Sequence, residues 1–244
     1  MLWDQGERAE SIKLLRQVLA SERRVLKDDH PSTLLAMSNL ASFLGETGQY
    51  EEGERLSREC VERRTRVLGE EDIDTLQSLT NLGNTLVRAG KASDAEPILR
   101  RAVVGRTKVL GETHPNTVST KMVLARSLFD QKKQQEALSL YQWLSSPEIL
   151  PKSSPMQQAV LLSRYGTCLV SESKFAEAEP ILLRAIDQLT TTQMGQGEAM
   201  EQAMGALVRL CEETHRPAEA SQWRGKLASL PTAAPSTLPA AIKP

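Results

Sequence analysis

The sequence predicts an all-α fold in which antiparallel helix pairs stack into a solenoid. Three observations support this prediction: the chain repeats with a period of 42 residues, apolar residues in both halves of each repeat have helical spacing, and glycines recur between the halves. Of the 244 residues, 40% are hydrophobic and 25% charged, so the chain can form a packed core.

The repeat is clearest at the start of each unit. Residues 30–33 read His-Pro-Ser-Thr, and residues 114–117, two periods later, read His-Pro-Asn-Thr. The unit between them has lost the proline and keeps the threonine. The threonines that hold the register are Thr33, Thr75 and Thr117.

Each unit contains two predicted helices. Proline directly after His30 or His114 suits the first turn of a helix, where its missing N–H costs nothing. Glycines suit helix ends, because they adopt left-handed backbone angles without strain. The apolar residues with helical spacing in the first full unit are Met37, Leu40, Ala41 and Leu44, and then Gly53, Leu56, Cys60 and Val61.

This spacing divides the chain into repeats and flanking parts. The predicted divisions are 1–29, a partial repeat that retains its second helix; 30–71, 72–112 and 113–154, full repeats; 155–194, a diverged repeat; 198–229, a terminal helix pair; and 230–244, a disordered tail rich in Pro and Ala. In the third full repeat the second helix is expected to end near Ser146, because three prolines follow within nine residues.

Two positions depart from the regular pattern. Lys121 stands where other units have Met or Leu. Either its stem lies along the core with the ammonium reaching water, or the helix is rotated locally. The helix from about Glu7 to Leu26 has little left of the first helix it should pack against. Its edge, with Leu14, Leu15, Val18 and Leu19, is expected to fray or to self-associate, and an upstream helix is expected in the parent protein.

Composition argues against several classes of function. The formal net charge of −1 favours neither nucleic acid nor anionic membrane, and no apolar stretch approaches a membrane span. The three cysteines are far apart and fit neither a disulfide framework nor a zinc knuckle, so a cytoplasmic location is expected. His30 and His114 are two units apart, too far to share a metal. We expect no metal, no cofactor and no catalytic residues.

The repeat resembles the tetratricopeptide family. Small residues are paired where the two helices of a unit cross: Ala41 with Gly53, Gly83 with Ala95, Ala125 with Ala137, and Gly166 with Ala178. The 42-residue unit, its His-Pro-x-Thr opening and its Leu-Gly ending are similar to the repeats of kinesin light chains. This resemblance implies a right-handed superhelical solenoid of antiparallel helix pairs whose first helices line the concave side.

The last helix pair has a narrower likeness. Residues 209–224 resemble the end of the repeat arrays carried by some bacterial Ser/Thr protein kinases, although none of the kinase signatures is present in this chain. The chain could therefore be an internal regulatory or positioning module of a larger signalling protein.

A second stripe of residues remains on the first helices once the core positions are removed. In proteins that this chain resembles, asparagine on this face fixes the backbone of an extended peptide, and arginine can hold a carboxylate. The predicted peptide-binding groove consists of Asn39, Ser42, Asn81, Asn84, Arg88, Arg126 and Arg164. A polar wall without a dedicated ligand is the alternative for these residues.

The leading functional hypothesis is a scaffold for protein–protein interaction. Its groove would hold a peptide or helix of a partner protein whose identity the sequence does not reveal. The positioning module described above is the alternative. An enzyme would need a nucleophile and a base in contact, and the motifs offer no such pair.

Overall fold

The computed structural model describes residues 2–191 and 197–230, with side chains from residue 7 onwards except that of Lys152. Across these ranges the regular secondary structure is helical, which confirms the all-α prediction. The α-helices are α1 (Leu2–Leu26), α2 (Pro31–Glu46), α3 (Tyr50–Leu68), α4 (Ile73–Arg88), α5 (Ala92–Leu110), α6 (Pro115–Asp130), α7 (Gln134–Leu144), α8 (Pro155–Ser171), α9 (Phe175–Thr191), α10 (Glu198–Glu213) and α11 (Pro217–Ala228). A 3₁₀ turn spans Leu150–Lys152.

The chain forms two compact units, residues 1–140 and 141–244. In the first unit α1 packs on α2, and the pairs α2/α3 and α4/α5 pack as helical hairpins. The first helices α2, α4 and α6 also pack side by side. In the second unit α8 packs on α9 and α10 packs on α11, with α10 also against α8 and α9. No helix in the described ranges is long and apolar enough to cross a membrane.

The first helices begin with a side-chain cap that repeats every 42 residues. The backbone N–H of Ser32 donates to His30 Nδ1 at 3.2 Å, and that of Asn116 donates to His114 Nδ1 at 3.1 Å. Asp72 takes the same role in the intervening unit, where its carboxylate accepts from the Asp74 N–H at 2.8 Å. The two histidines are thus helix caps, which satisfy backbone donors that the helix itself leaves unpaired.

The first helices also end in a common way. The second residue after each one has a positive φ, and the next residue donates its N–H to a carbonyl five residues back at 2.8 or 2.9 Å, as in the Schellman motif. The positive-φ residues are Gly48 and Gly90 in the regular repeats, and then Lys132, Ser173 and His215. The turn is therefore kept where glycine has been lost.

Close helix crossings depend on the small residues identified in the sequence. A Cβ atom added at Gly53 would lie 3.1 Å from the Ala41 carbonyl oxygen. One added at Gly83 would lie 2.4 Å from a Leu99 methyl carbon, and the equivalent atom at Gly166 would lie 2.5 Å from Leu182. Each hairpin thus brings its two helices too close for a larger residue.

The array departs from the sequence expectations at one helix end and agrees with them at another. The helix expected to begin near Glu7 begins at Leu2 and runs without a break through Gly6. The second helix of the third unit ends at Leu144, close to the expected Ser146. Of the three prolines after it, Pro147 lies in a turn, Pro151 in the 3₁₀ turn and Pro155 at the start of α8. The predicted tail from Pro231 lies outside the described residues.

Lys121 is buried, with 7% of its surface exposed. Its ammonium lies 2.7 Å from an oxygen of Glu112, whose side chain is 57% exposed. The ammonium is thus paired with a carboxylate that lies at the surface. Contact of the ammonium with water, which the snorkelling interpretation expects, stays a prediction.

Candidate functional site

The predicted groove residues of the first unit lie on three neighbouring first helices. Asn39 and Ser42 are on α2, the three residues Asn81, Asn84 and Arg88 are on α4, and Arg126 is on α6. Asn39 is exposed, and Ser42 and the two α4 asparagines are half-buried. Arg164 is on α8 in the second unit and is considered separately.

Arg88 ties α4 to the end of α2. Its Nε and one terminal nitrogen donate to the Gly45 and Glu46 carbonyl oxygens, both at 3.2 Å. The helices approach closely here, since a Cβ added at Gly45 would lie 2.6 Å from the Thr85 hydroxyl oxygen. Arg88 therefore caps a helix C-terminus, a favourable place for a cation. This contact uses part of the hydrogen-bonding capacity that the sequence analysis assigned to a ligand carboxylate.

Asn81 is held by a chain of side-chain hydrogen bonds. Arg106 donates to the Gln77 side-chain oxygen at 2.5 Å, and the Gln77 amide donates to Asn81 Oδ1 at 2.7 Å. Asn81 Nδ2 then lies 3.4 Å from the Ser38 hydroxyl on α2. Both the oxygen and the nitrogen of the Asn81 amide are therefore engaged in hydrogen bonds within the first unit.

Asn84 lines an open cleft of about 610 Å³ between α1, α2 and α4. Its amide makes no hydrogen bond to the described residues. Phe43 contributes an apolar wall, and the charged groups include both signs. The other lining residues are Glu7, Arg8, Ser11, Glu46, Thr47 and Arg88.

The remaining two arginines have different surroundings. Arg126 Nε lies 3.7 Å from Asp130 on the same helix, so its charge has a local partner. Arg164, in the second unit, lines a small, mostly apolar cavity with Met156, Val160 and Met200. Whether all seven predicted residues serve one groove stays a prediction.

Two buried arginines were missed by the sequence analysis. Arg64 is 3% exposed and donates to the Asp74 carbonyl and the Ser78 hydroxyl, both at 2.9 Å. Arg106 is 1% exposed and makes the same two contacts with Asn116 and Thr120, both at 2.7 Å. The signal was present in the sequence, because the donors and both acceptors recur after 42 residues.

Ion pairs between residues 37 positions apart join neighbouring repeats. Lys91 lies 2.8 Å from Glu54, Lys133 lies 2.6 Å from Glu96, and Arg216 lies 2.8 Å from Glu179. Hydrogen bonds from Lys133 and Arg100 lower the pKa of Glu96 to about 2, against the opposing effect of burial. These pairs help to fix the register of neighbouring repeats.

The three cysteines are buried and have no disulfide partner. Burial raises the pKa of each thiol, that of Cys168 to about 12, so the reactive thiolate form is disfavoured. Among the described residues no group of three or more His, Cys, Asp and Glu side chains could hold a metal ion.

Three family models match the chain, and each is described as a tetratricopeptide repeat. They match residues 1–32, 33–105 and 80–144, which together make up more than half of the chain. No curated protein matches the sequence.

Solved structures with similar folds include repeat proteins of the kinesin light chain type. BtubC (BKLC) from P. vanneervenii has a TM-score of 0.69 and 16% identity, over 97% of this chain and 96% of that chain. A candidate kinesin light chain of Podosopora anserina with nearly identical TPR-like repeats has a TM-score of 0.64 and 19% identity, over 82% and 96%. Its Q17M variant has a TM-score of 0.65 and 19% identity, over 82% and 95%.

These matches agree with the helix pairs, the small-residue crossings and the repeated turns described above. Tetratricopeptide repeats are generally protein–protein interaction modules, and their fold is typically a non-catalytic scaffold. The chain belongs to the tetratricopeptide repeat family, and its fold is that of kinesin light chain-like repeat proteins.

Proposed function

We propose that the face formed by α2 and α4 holds a peptide or a helix of a partner protein, and that the chain acts as a scaffold without chemistry of its own. The observation that carries the proposal is Asn84, whose half-buried amide lines the open cleft without an intramolecular hydrogen bond to the described residues. A side-chain amide offers both a donor and an acceptor, as a peptide group does. Asn84 can therefore pair with a ligand backbone.

Asn81 supports this role from one helical turn away. Gln77 donates to its oxygen and its amide nitrogen donates to Ser38, so the Asn81 side chain is held in place before any ligand arrives. The buried Arg106 in turn fixes Gln77, which connects the groove to the contact between repeats. Such preorganisation reduces the entropy that binding costs.

The charges of the cleft indicate what kind of peptide fits. The cleft is lined by two acidic residues, Glu7 and Glu46, and by two basic residues, Arg8 and Arg88. Arg88 already caps α2. Because both signs are present, the site favours main-chain recognition with an apolar side chain against Phe43 over recognition of a purely acidic segment. This differs from the carboxylate-binding role that the sequence suggested for Arg88.

A peptide display library tests the proposal whatever the identity of the natural partner. Selected peptides would be measured by fluorescence anisotropy against the wild type, Asn84→Ala and the control Glu62→Ala, whose side chain is exposed on α3. Loss of one or two backbone hydrogen bonds should weaken binding roughly 5- to 30-fold in Asn84→Ala, with Glu62→Ala unchanged. Equal affinities for all three proteins would place the ligand elsewhere.

A further inference from the structure

The α1 helix has an apolar face that its counterparts bury. Leu14 and Val18 are 52% and 48% exposed. The residues 42 positions later on α3 are Leu56 and Cys60, which are 5% and 1% exposed. The exposure at α1 is therefore a departure from the repeat and not a property of these positions.

The covering element in the regular unit is a first helix. Cys60 lies against α2, with its sulfur 3.5 Å from the Leu34 carbonyl oxygen, and a Cβ on Gly53 would meet the Ala41 carbonyl. Because α2 and α3 are joined by a short turn, the covering helix runs antiparallel to the one it covers. The opposite face of α1 is already used, since Ile12 and Leu19 pack into the core with α2 and α3.

We propose that the α1 helix of a second copy of this chain covers this face, in an antiparallel pair about a two-fold axis. Ser11, Leu14, Val18 and Ser21 follow the 3,4 spacing of a two-helix seam. In the antiparallel arrangement Leu14 lies opposite Val18 of the second copy, and Ser11 lies opposite its Ser21. Each of these contacts occurs twice, as a two-fold interface requires.

The charges beside the seam fit a second copy in this orientation. Glu10 and Arg24 are exposed and lie on the same flank of the seam, towards opposite ends of α1. In the antiparallel pair Glu10 of one copy lies next to Arg24 of the other, and Gln17 lies next to its own equivalent.

Disulfide trapping tests the predicted register. A Gln17→Cys variant places one new thiol on each helix next to the two-fold axis, and the native cysteines are buried and do not compete. Oxidation should yield a covalent dimer, while Ala20→Cys, which is exposed on α1 away from the seam, should yield far less. Equal trapping at the two positions, or none at Gln17→Cys, would overturn the proposal.

Sedimentation velocity over a concentration series tests the pairing itself. The wild type should shift from monomer to dimer through the micromolar range, and Val18→Glu should stay monomeric. The matched control Val104→Glu changes a valine that is 69% exposed on α5 and should behave as the wild type. A wild type that is monomeric at every concentration would mean that no second copy occupies this face.

Charge reversal distinguishes the proposed antiparallel α1 dimer from nonspecific hydrophobic association. Glu10→Arg or Arg24→Glu alone should weaken the dimer roughly two- to fivefold for each ion pair lost, and the double variant should restore it. A double variant that is as weak as the sum of its single changes would contradict the antiparallel register.

Discussion

Arg64 and Arg106 stand 42 residues apart and make the same buried contact, each joining its second helix to a backbone carbonyl and a hydroxyl of the next first helix. Arg64 on α3 and Arg106 on α5 occupy equivalent positions of their repeats. The repeated contact shows that successive units are held by oriented hydrogen bonds as well as by apolar packing. It also fixes the positions of α4 and α6, two of the first helices that carry the predicted groove residues.

Replacing Arg106 should be the most destabilising single change at a repeat junction. Arg106→Ala removes three buried hydrogen bonds, to the Asn116 carbonyl, the Thr120 hydroxyl and the Gln77 side chain, and opens a buried space. We therefore expect a loss of about 3 kcal/mol in unfolding free energy. Urea denaturation measures this. The control Arg101→Ala removes a surface ion pair with Glu70 and should cost under about 1 kcal/mol in unfolding free energy. Similar losses in the two variants would show that the buried Arg106 contact contributes no more than a surface pair.

Glycine should be favoured at the turns where the repeat has lost it. Lys132 and His215 have φ angles of 61° and 56°, in the left-handed region that L-residues adopt at a cost. Lys132→Gly and His215→Gly should each stabilise the fold by about 1 kcal/mol, as seen in thermal unfolding. In the matched turn Gly90→Ala should destabilise by a similar amount, and a destabilised Lys132→Gly would show that the lysine side chain contributes more than its strain costs.

Space at the helix crossings should decide the effect of adding a methyl group. Gly83→Ala forces Cβ towards Leu99 and should cost about 1 to 3 kcal/mol. Gly205, also inside a helix, has nothing within 4 Å of an added Cβ, so Gly205→Ala should stabilise by about 0.5 to 1 kcal/mol. Denaturation curves that move in the same direction for both variants would contradict the crossing geometry.

Changes at Lys121 and at its partner Glu112 should alter the stability of the fold in opposite directions. Lys121→Leu replaces a buried cation by an apolar side chain at a core position and should stabilise by about 1 kcal/mol. Glu112→Ala leaves the same ammonium buried without this partner and should destabilise. Calorimetry on the two variants checks the pair, and a lower melting temperature for Lys121→Leu would refute the snorkelling account.

Glu96 should make the array sensitive to acid. Its pKa is lowered from an ordinary value of 4.5 to about 2 in the folded protein, so its contribution is fully present above about pH 4.5 and is lost as the pH falls towards 2. The difference in unfolding free energy between the wild type and Glu96→Gln should therefore shrink over this window. Exposed Glu62→Gln is the control, and a difference independent of pH would show that the carboxylate charge contributes nothing.

The sequence predicted the fold well because the repeat is encoded locally. Prolines mark the starts of helices, glycines mark the turns between them, and small residues mark the places where two helices cross. Each of these features follows from one residue and its neighbours in the sequence. The buried arginines were missed because composition analysis places a lone arginine on the surface, and only the recurrence of Ser78 and Thr120 with them reveals the contact. The continuous α1 was missed because Gly6 stands 42 residues before the turn glycine Gly48, which favours a turn there by the repeat, although glycine inside a helix is tolerated.

The groove was predicted less completely than the fold. The 42-residue stride placed Asn81 and Asn84 on neighbouring turns of one first helix, but it could not show which side chains are already engaged. Arg88 is partly used in capping α2, and Arg126 has Asp130 nearby. The Arg88 contact depends on the distance between α2 and α4, which the close approach at Gly45 sets.

Hydrogen exchange of the whole chain with a display-selected peptide bound tests the central claim most directly. The account predicts that slowed exchange is concentrated in α2 and α4, around Phe43, Asn81 and Asn84, and that it disappears in Asn84→Ala at the same peptide concentration. Protection that falls on the exposed faces of α3 and α5 and persists in Asn84→Ala would contradict a groove formed by the first helices.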